Sequence, residues 1–330
     1  SPVMNPAGLP AWSCLWTRVP WRHTRFLSCR GTTPESFLTQ TLTFTFHHRY
    51  LLMVNHDSLF RILGPSAEDI AAFHRQGYIA YPDVFTDEAR TGLIDEVLAY
   101  EPVRDFLSMS DERHRRNDSH NWFTRPWNAR KYWSHRLIDD PLVTNLLTST
   151  IGPEYHFCHS ALNVSVRGSG PIGFHQDHHH WFHENPVNFE EREKYYIQIL
   201  YYPNGFTSGD KSLSVIPGSH RISPDKDVTP DRMLAGDFDD QADCELREQT
   251  LEMPPGSMVY INARMFHAVA PKPLNSPQPY RIFAIDIFKE TGPPHRYTQE
   301  IPSEWMERAN PERRKLFQRQ PYTETCWTEE

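Results

Sequence analysis

The sequence contains no uninterrupted apolar run near the ~18–20 residues that a membrane-spanning helix needs, which excludes an integral membrane protein. It also lacks a CxxC pair, and its five cysteines are scattered and odd in number. This usage is typical of a reduced intracellular chain, most simply a cytoplasmic one, rather than of a disulfide framework. An excess of positive charge is missing as well, since the net charge is -8. Nucleic acid is therefore not an expected partner.

Glycine is scarce relative to proline, with 15 glycines against 28 prolines, which predicts many short strands joined by stiff turns. Hydrophobic residues make up 38% of the 330 residues, so the chain can bury a substantial core. Histidine is frequent, with 18 residues. The composition indicates a globular protein with an unusual supply of metal-ligating side chains.

The first 52 residues differ from the rest of the chain in charge. They hold five arginines against a single acid, Glu35, whereas the whole chain is acidic. Such a start is typical of an organelle-targeting segment, and also of a poorly ordered extension that precedes Met53. The sequence therefore predicts an extension over residues 1–52 and one domain over residues 53–330. A chain that begins at Met53 is expected to keep its thermal midpoint and its turnover.

Helix signals dominate up to about residue 150. Ser66 and Asp69 have the spacing of a capping box, and Gly77 is placed to end the helix that they begin. The further elements expected in this part are a strand over residues 78–81 and helices over residues 86–100 and 140–149.

From about residue 155 to residue 290 the chain consists of short alternating runs, separated by turn signals such as Pro217-Gly218. Many short strands at this spacing indicate a sandwich or a barrel. A last, exposed helix is expected over residues 302–318. The fold class is therefore mainly β with flanking helices, the N-terminal helices being packed on a barrel-like core.

Three residues in the β region have the chemistry of an iron site. In the segment Gly173-Phe-His175-Gln-Asp177, positions two apart share one face of a strand, so His175 and Asp177 present an imidazole and a carboxylate to one point. His267 lies ninety residues further on. Two histidines and one carboxylate form the facial triad of non-haem Fe(II) oxygenases. Arg281 follows on a predicted strand, and its planar fork suits a carboxylate of a dicarboxylate co-substrate.

At these residues the chain resembles the phytanoyl-CoA dioxygenase (PhyH-like) family of Fe(II)/2-oxoglutarate-dependent oxygenases. The resemblance covers roughly residues 66–290. The matching segments, in the order that the family has them, are Phe73-His-Arg-Gln-Gly-Tyr78, Val84-Phe-Thr-Asp-Glu88, Phe174-His-Gln-Asp177, Val215-Ile-Pro-Gly-Ser-His220 and Pro255-Gly-Ser-Met-Val-Tyr260, followed by His267 and Arg281.

The resemblance implies a double-stranded β-helix, or jelly-roll, that binds Fe(II), 2-oxoglutarate and O2. By position, His175, Asp177 and His267 would be the metal ligands, and Arg281 would pair with the distal carboxylate of 2-oxoglutarate. Gln176 and Arg167 are further candidates for contact with the co-substrate, Arg167 standing where the family often has a lysine. The implied reaction is oxidation of a small organic molecule, most simply a hydroxylation, with succinate and CO2 as co-products.

Other interpretations of the histidines remain open. His175, His179 and His183 have helical spacing and would make a zinc hydrolase site if this segment were a helix. A jelly-roll that binds metal or ligand without turnover is the other alternative. Candidate substrate contacts are Trp181, Phe123 and Arg125. We expect a monomer or homodimer with a small-molecule substrate and no membrane partner.

Overall fold

The N-terminal part of the domain folds as its capping residues predict. The computed structural model describes residues 58–116, 120–123, 132–177, 196–222, 227–289, 301–302, 307, 309, 311–317 and 322–323. These residues all fall within one unit, which runs from residue 50 to residue 330. The predicted extension over residues 1–52 lies outside the described residues. None of the described helices is long and apolar enough to cross a membrane.

The first helix, α1 (Ala67–Gln76), has the predicted capping box. The Ser66 hydroxyl accepts from the backbone N–H of Asp69, and the Asp69 carboxylate accepts from the N–H of Ser66. Gly77 ends the helix in the left-handed region, with φ of 88°. The helices that follow are α2 (Asp87–Ala99), α3 (Glu101–Ser108), α4 (Asp111–Arg116), a 3₁₀ turn (Ser134–Asp139) and α5 (Pro141–Ile151).

The predicted helices near residues 86–100 and 140–149 are confirmed as α2 and α5. Thr86 and Asp140 cap them, each accepting a backbone N–H at the helix start. Neither α3 nor α4 was predicted: α3 has only a short apolar stripe, and α4 consists entirely of charged residues and one histidine.

The β region contains the expected short strands. In chain order they are β1 (Tyr78–Tyr81), β2 (His120–Phe123), β3 (His156–Val166), β4 (Ile172–His175), β5 (Tyr196–Tyr202), β6 (Leu213–Val215), β7 (Gln249–Thr250), β8 (Ser257–Asn262), β9 (His267–Val269) and β10 (Tyr280–Lys289).

These strands form two antiparallel sheets. The larger sheet has the order β1-β8-β5-β10-β3-β2, and the smaller has the order β4-β9-β6-β7. Leu213 and Val215 of the smaller sheet belong to the same buried cluster as Val259 and Phe283 of the larger one. The two sheets therefore face each other across a shared core. This is the jelly-roll architecture, and it confirms the predicted fold class.

The other face of the larger sheet carries the helices. Leu162 and Tyr260 on that face belong to one buried cluster with Phe73 of α1 and with Leu146 and Leu147 of α5. Side chains alternate along each strand, so each central strand of this sheet contributes to both clusters. The larger sheet is consequently buried on both faces.

The C-terminal prediction was wrong in extent and in exposure. Residues 302–318 do not form one helix: β11 (Ile301–Pro302) pairs in parallel with β12 (Tyr322–Thr323), Ala309 is not helical, and the helix that follows runs over Pro311–Leu316. Pro311 can occupy the first turn of a helix but not its interior, which sets the start. Phe317 is buried against the Phe157 ring at 5.6 Å rather than exposed. Two other short helices and a 3₁₀ turn lie between β6 and β7, at Ser219–Arg221, Pro230–Leu234 and Asp239–Ala242.

Candidate metal centre

The two histidines of the predicted triad lie opposite each other on neighbouring antiparallel strands. His175 ends β4, His267 begins β9, and the two residues are register partners. Partners in an antiparallel pair put their side chains on the same face. The two imidazole ring centroids are accordingly 4.2 Å apart. Asp177 follows His175 by two residues, which returns its carboxylate to the same side.

Three ligand atoms, one from each of His175, Asp177 and His267, lie within 4.8 Å of one another. The Asp177 carboxylate oxygens lie 3.5 Å from His175 Nε2 and 3.4 Å from His267 Nε2. Two imidazoles and one carboxylate that converge in this way match the donor set of non-haem Fe(II) oxygenases. Over the described part of the chain, this is the one group of His, Cys, Asp or Glu with the geometry to hold a metal ion.

Backbone carbonyls orient both imidazole rings. His175 Nδ1 lies 2.8 Å from the carbonyl oxygen of Gly173, and His267 Nδ1 lies 3.0 Å from that of Met265. A carbonyl oxygen can only accept, so each Nδ1 carries the proton and donates it. In the neutral ring the lone pair is then on Nε2, which faces the other ligands. This is the arrangement by which proteins prepare histidines for metals.

A residue of the larger sheet holds the carboxylate. Gln198, buried on β5, donates from its amide nitrogen to Asp177 Oδ2 at 2.7 Å. Burial alone would disfavour the charged carboxylate, but the contact with His267, the charges of both histidines and the Gln198 hydrogen bond outweigh it. Together they hold the pKa of Asp177 well below its usual range. Asp177 is therefore an anion at any physiological pH, as a metal ligand must be.

The same contacts act on His267 in the opposite sense. Burial favours the neutral ring, but the hydrogen bond to Asp177 and the charge of that carboxylate are stronger and raise the pKa of His267. A proton and a metal ion compete for the same Nε2 atom. The negative charge of Asp177 therefore favours a cation at this atom, either a proton or a metal ion. Sequence reasoning did not identify Gln198, since a lone glutamine on an apolar strand has no spacing signal.

Arg281 is buried at the start of β10, on the face that points between the sheets. One of its terminal nitrogens donates to the backbone carbonyl of Lys211, and its Nε has no partner among the described residues. The guanidinium carbon lies 5.6 Å from the Tyr202 ring and 5.3 Å from the Phe283 ring. A buried cation with an unused donor is suited to an anionic ligand.

The other two candidates for contact with the co-substrate have backbone partners. Arg167 donates from Nε to the Ser276 carbonyl at 2.8 Å and from Nη2 to the Pro277 carbonyl at 3.3 Å. The Gln176 side-chain amide donates to the Arg264 carbonyl. Both side chains therefore donate to backbone carbonyls of loops around the site.

Of the candidate substrate residues, Phe123 is the one that the structure describes, and it does not face the space between the sheets. Phe123, on β2, is buried in the cluster under the helices, 5.9 Å from the Tyr100 ring. Its neighbour Trp122 is on the opposite face, 5.7 Å from the Phe283 ring, and is 41% exposed. Trp122 therefore faces the space between the sheets. Strand alternation puts Trp122 and Phe123 on opposite faces, but only the pairing of β2 with β3 shows which of them faces that space.

The remaining sequence candidates lie outside the described residues; they are Trp181, Arg125, His179 and His183. The alternative zinc site that used His179 and His183 is therefore not described by the structure.

Two facing antiparallel sheets, with two histidines and an aspartate on one strand pair, define the class of non-haem Fe(II) oxygenases that use 2-oxoglutarate and O2. The sequence pattern of the phytanoyl-CoA dioxygenase (PhyH) family matches residues 73–272. The chain belongs to this family and is an Fe(II)/2-oxoglutarate-dependent oxygenase, as the sequence predicted. The matched segment includes His175, Asp177 and His267 and ends before Arg281.

Solved structures share the fold at low sequence identity. The non-heme alpha ketoglutarate dependent epimerase SnoN from nogalamycin biosynthesis superimposes with a TM-score of 0.50 at 14% identity, over 68% of this chain and 82% of that one. EctD from S. alaskensis in its apoform gives a TM-score of 0.50 at 20% identity, over 68% and 77%. No curated protein matches the sequence.

Proposed function

We propose that this protein oxidises a small organic molecule, most simply by hydroxylating an aliphatic C–H bond, with succinate and CO2 as co-products. His175, Asp177 and His267 would hold the iron, and Arg281 would hold the distal carboxylate of 2-oxoglutarate. The convergence of three ligand atoms within 4.8 Å on one strand pair carries the proposal.

The residues present suit the metal. Each histidine donates its Nδ1 proton to a carbonyl and offers Nε2, while Asp177 supplies the one negative charge. When bound, iron activates O2, and oxidation of 2-oxoglutarate to succinate and CO2 supplies electrons for the reaction. Three protein ligands leave positions for the co-substrate and for O2. The protein's own part is to keep the three ligands fixed, which Gln198 assists through Asp177.

Arg281 would fix the far end of the co-substrate. On the small sheet His267 pairs with Val215, and Val269 pairs with Leu213. The Lys211 carbonyl that accepts from Arg281 lies two residues before Leu213 on the same segment. The guanidinium therefore contacts the segment that leads into β6, four residues before Val215, the strand partner of His267. A dicarboxylate could then have one carboxylate near the triad and the other on the arginine.

Apolar and aromatic groups surround the guanidinium. Tyr202 and Phe283 flank the guanidinium, and Trp122 packs on Phe283. Such surroundings exclude water and strengthen a charge-assisted hydrogen bond. They also favour a substrate with an exposed hydrocarbon portion next to the site.

The test is a titration of the anaerobic Fe(II) protein with 2-oxoglutarate, following the metal-to-ligand charge-transfer band. Arg281→Ala removes two possible charge-assisted hydrogen bonds, each worth roughly 1.5–3 kcal/mol. We expect the dissociation constant to rise by about 100-fold or more, at about 1.4 kcal/mol per decade. Arg281→Lys should recover only part of this loss, because an ammonium lacks the fork.

Arg167→Ala is the matched control, since this arginine donates to loop carbonyls instead. It should bind 2-oxoglutarate nearly as well as the wild type. An unchanged dissociation constant in Arg281→Ala, with a loss in Arg167→Ala, would transfer the assignment to Arg167. Turnover is checked separately by following succinate release and oxygen consumption over a panel of small metabolites.

A further inference from the structure

A buried ion pair lies next to Arg281 and is not part of the proposed iron site. Lys272 is only 1% exposed, and its Nζ donates to Asp210 Oδ1 at 2.8 Å and to Ser276 Oγ at 2.9 Å. The Ser276 hydroxyl donates in turn to the other oxygen of Asp210. Asp210 precedes β6, whereas Lys272 and Ser276 lie on the loop between β9 and β10. The pair thus joins two segments that border the space between the sheets.

Backbone contacts connect this pair to the guanidinium. Arg281 donates to the carbonyl of Lys211, the residue after Asp210. The Lys211 N–H donates to the carbonyl of Pro271, the residue before Lys272, at 3.1 Å. The cation of Arg281 and the two members of the ion pair are therefore held together by adjacent residues on the same two segments.

The three charges influence one another. Burial is the largest influence on Arg281 and lowers its pKa, while the charges of Tyr202 and Asp210 act in the opposite direction. Burial also lowers the pKa of Lys272, Asp210 opposes this, and the charges of Arg281 and Arg167 add to the lowering. Asp210 is therefore within electrostatic reach of both cations. In the structure the hydrogen bonds of this carboxylate go to Lys272 and Ser276, and none of those described goes to Arg281.

We propose that Lys272 is a positioning residue: by engaging Asp210, it prevents this carboxylate from pairing with Arg281 and leaves the guanidinium for the distal carboxylate of 2-oxoglutarate. This inference rests on the proposed role of Arg281. A protein carboxylate at this place would compete with the co-substrate for the same donors, because both are planar acceptors that suit the arginine fork. The neighbouring lysine cancels that competition without a contact to the ligand.

A purely structural role for the pair predicts different results. If the pair only fastened the β9–β10 loop, removing either member would leave the other charge buried and unpaired and would weaken binding in the same direction, whereas removing both could be nearly neutral. The two single variants therefore separate the two roles. In the competition mechanism the two members have opposite effects. Lys272→Met leaves Asp210 without its cation, so Asp210 turns to Arg281, whereas Asp210→Asn removes the competitor itself.

The experiment measures the 2-oxoglutarate dissociation constant by the charge-transfer band, together with Fe(II) affinity and the thermal midpoint. We expect Lys272→Met to weaken co-substrate binding by about tenfold or more, about 1.4 kcal/mol per decade. Asp210→Asn should bind 2-oxoglutarate somewhat more tightly than the wild type. The double variant should return to within about threefold of the wild type, at the same conversion. Fe(II) affinity should be retained in all three.

Two further variants keep the test decisive. Lys272→Gln retains an amide donor for Asp210 but no charge, so it preserves the loop contact and should still weaken binding. Lys315→Met is the matched control, since Lys315 pairs with Glu154 at 2.9 Å on the surface. It should leave the dissociation constant unchanged.

The outcomes separate this inference from the proposed function. If Asp210→Asn weakens binding as much as Lys272→Met, or the double variant does not recover, the pair is structural and the inference is overturned. If Lys272→Met binds normally while Arg281→Ala does not, only the inference fails. If Arg281→Ala binds normally, the role of Arg281 in the proposed function fails first.

Discussion

The two sheets of the barrel differ in strand length, in burial and in the candidate site residues that they carry. The larger sheet has long central strands, such as the 11 residues of β3 and the 10 of β10, and both of its faces are buried. The smaller sheet has described strands of only two to four residues. Yet the smaller sheet carries His175 and His267, and Asp177 directly follows it. The larger sheet contributes Gln198, which donates to Asp177, and Arg281, which lies on the face that points toward the smaller sheet.

The comparison gives a physical reason for the candidate metal site to lie on the smaller sheet. Long strands buried on both faces have few positions at which a polar side chain can meet solvent or substrate. Short strands end quickly, so their terminal residues lie at the rim of the core, where a ligand can approach. The rigid sheet then holds these residues in place through a few buried polar contacts. Stability and chemistry should therefore respond to different substitutions.

The largest effect is expected at the small sheet. Asp177→Ala removes the only carboxylate of the triad, so iron affinity should fall steeply and succinate formation should drop by about 1000-fold or more. The thermal midpoint of the metal-free protein should change little, because Asp177 is half-buried at a strand end. Iron content, succinate release and thermal unfolding measure the three quantities. A variant that kept iron and activity would refute the assignment of Asp177 as a metal ligand. A variant that unfolded would contradict the view that stability and chemistry depend on different sheets.

The converse effect is expected at the large sheet. Leu162 on β3 is fully buried under the helices. Leu162→Ala should lower the free energy of unfolding by about 2–5 kcal/mol through lost burial and a cavity. Its Fe(II) affinity, measured below the unfolding transition, should match that of the wild type. A loss of iron without a loss of stability would contradict the division between the sheets.

A third prediction concerns pH and the outer face of the large sheet. Burial raises the pKa of Asp286 on β10 to about 7, although Ser160, Tyr201 and Arg313 oppose the shift. The unfolded chain binds fewer protons than the folded one between these pKa values, so Asp286 makes the fold less stable as pH rises. Between pH 5 and pH 8 its contribution should fall by about 3 kcal/mol.

Asp286→Asn isolates this contribution, because an amide does not titrate. Denaturant unfolding at both pH values should show a smaller decline in the variant than in the wild type. Metal binding should keep the pH dependence of the wild type, since Asp286 is on the face opposite the triad. Equal declines in stability would show that another group is responsible.

The smallest effect is expected where the two sheets meet. Gln198→Leu keeps the volume but removes the donor to Asp177. Partners that orient a metal ligand are typically worth about 10–100-fold in metal affinity or activity. We therefore expect Fe(II) affinity to weaken by about tenfold with little change in 2-oxoglutarate binding. Gln198→Glu is the contrasting variant, since a second carboxylate next to Asp177 should disturb the site more.

Much of the fold and the centre of the site followed from local patterns. The capping box of α1 acts over three residues, and alternation places His175 and Asp177 together over two. The predictions failed where the deciding contact was with a distant part of the chain. Phe123 and Trp122 differ by one position, and only the register of β2 on β3 shows which of them faces the barrel. Gln198 gave no signal, because its contact to Asp177 depends on another sheet.

By itself the sequence determined the class of fold, a candidate triad of metal ligands and the oxygenase family, because these depend on short spacings and residue chemistry. The tertiary structure alone decided which of two arginines is buried between the sheets and which donates to a surface loop. It also brought Asp210 and Lys272, 62 residues apart, into one ion pair next to Arg281. Strand pairing sets such contacts, and its register depends on the packing of whole sheets rather than on any local pattern.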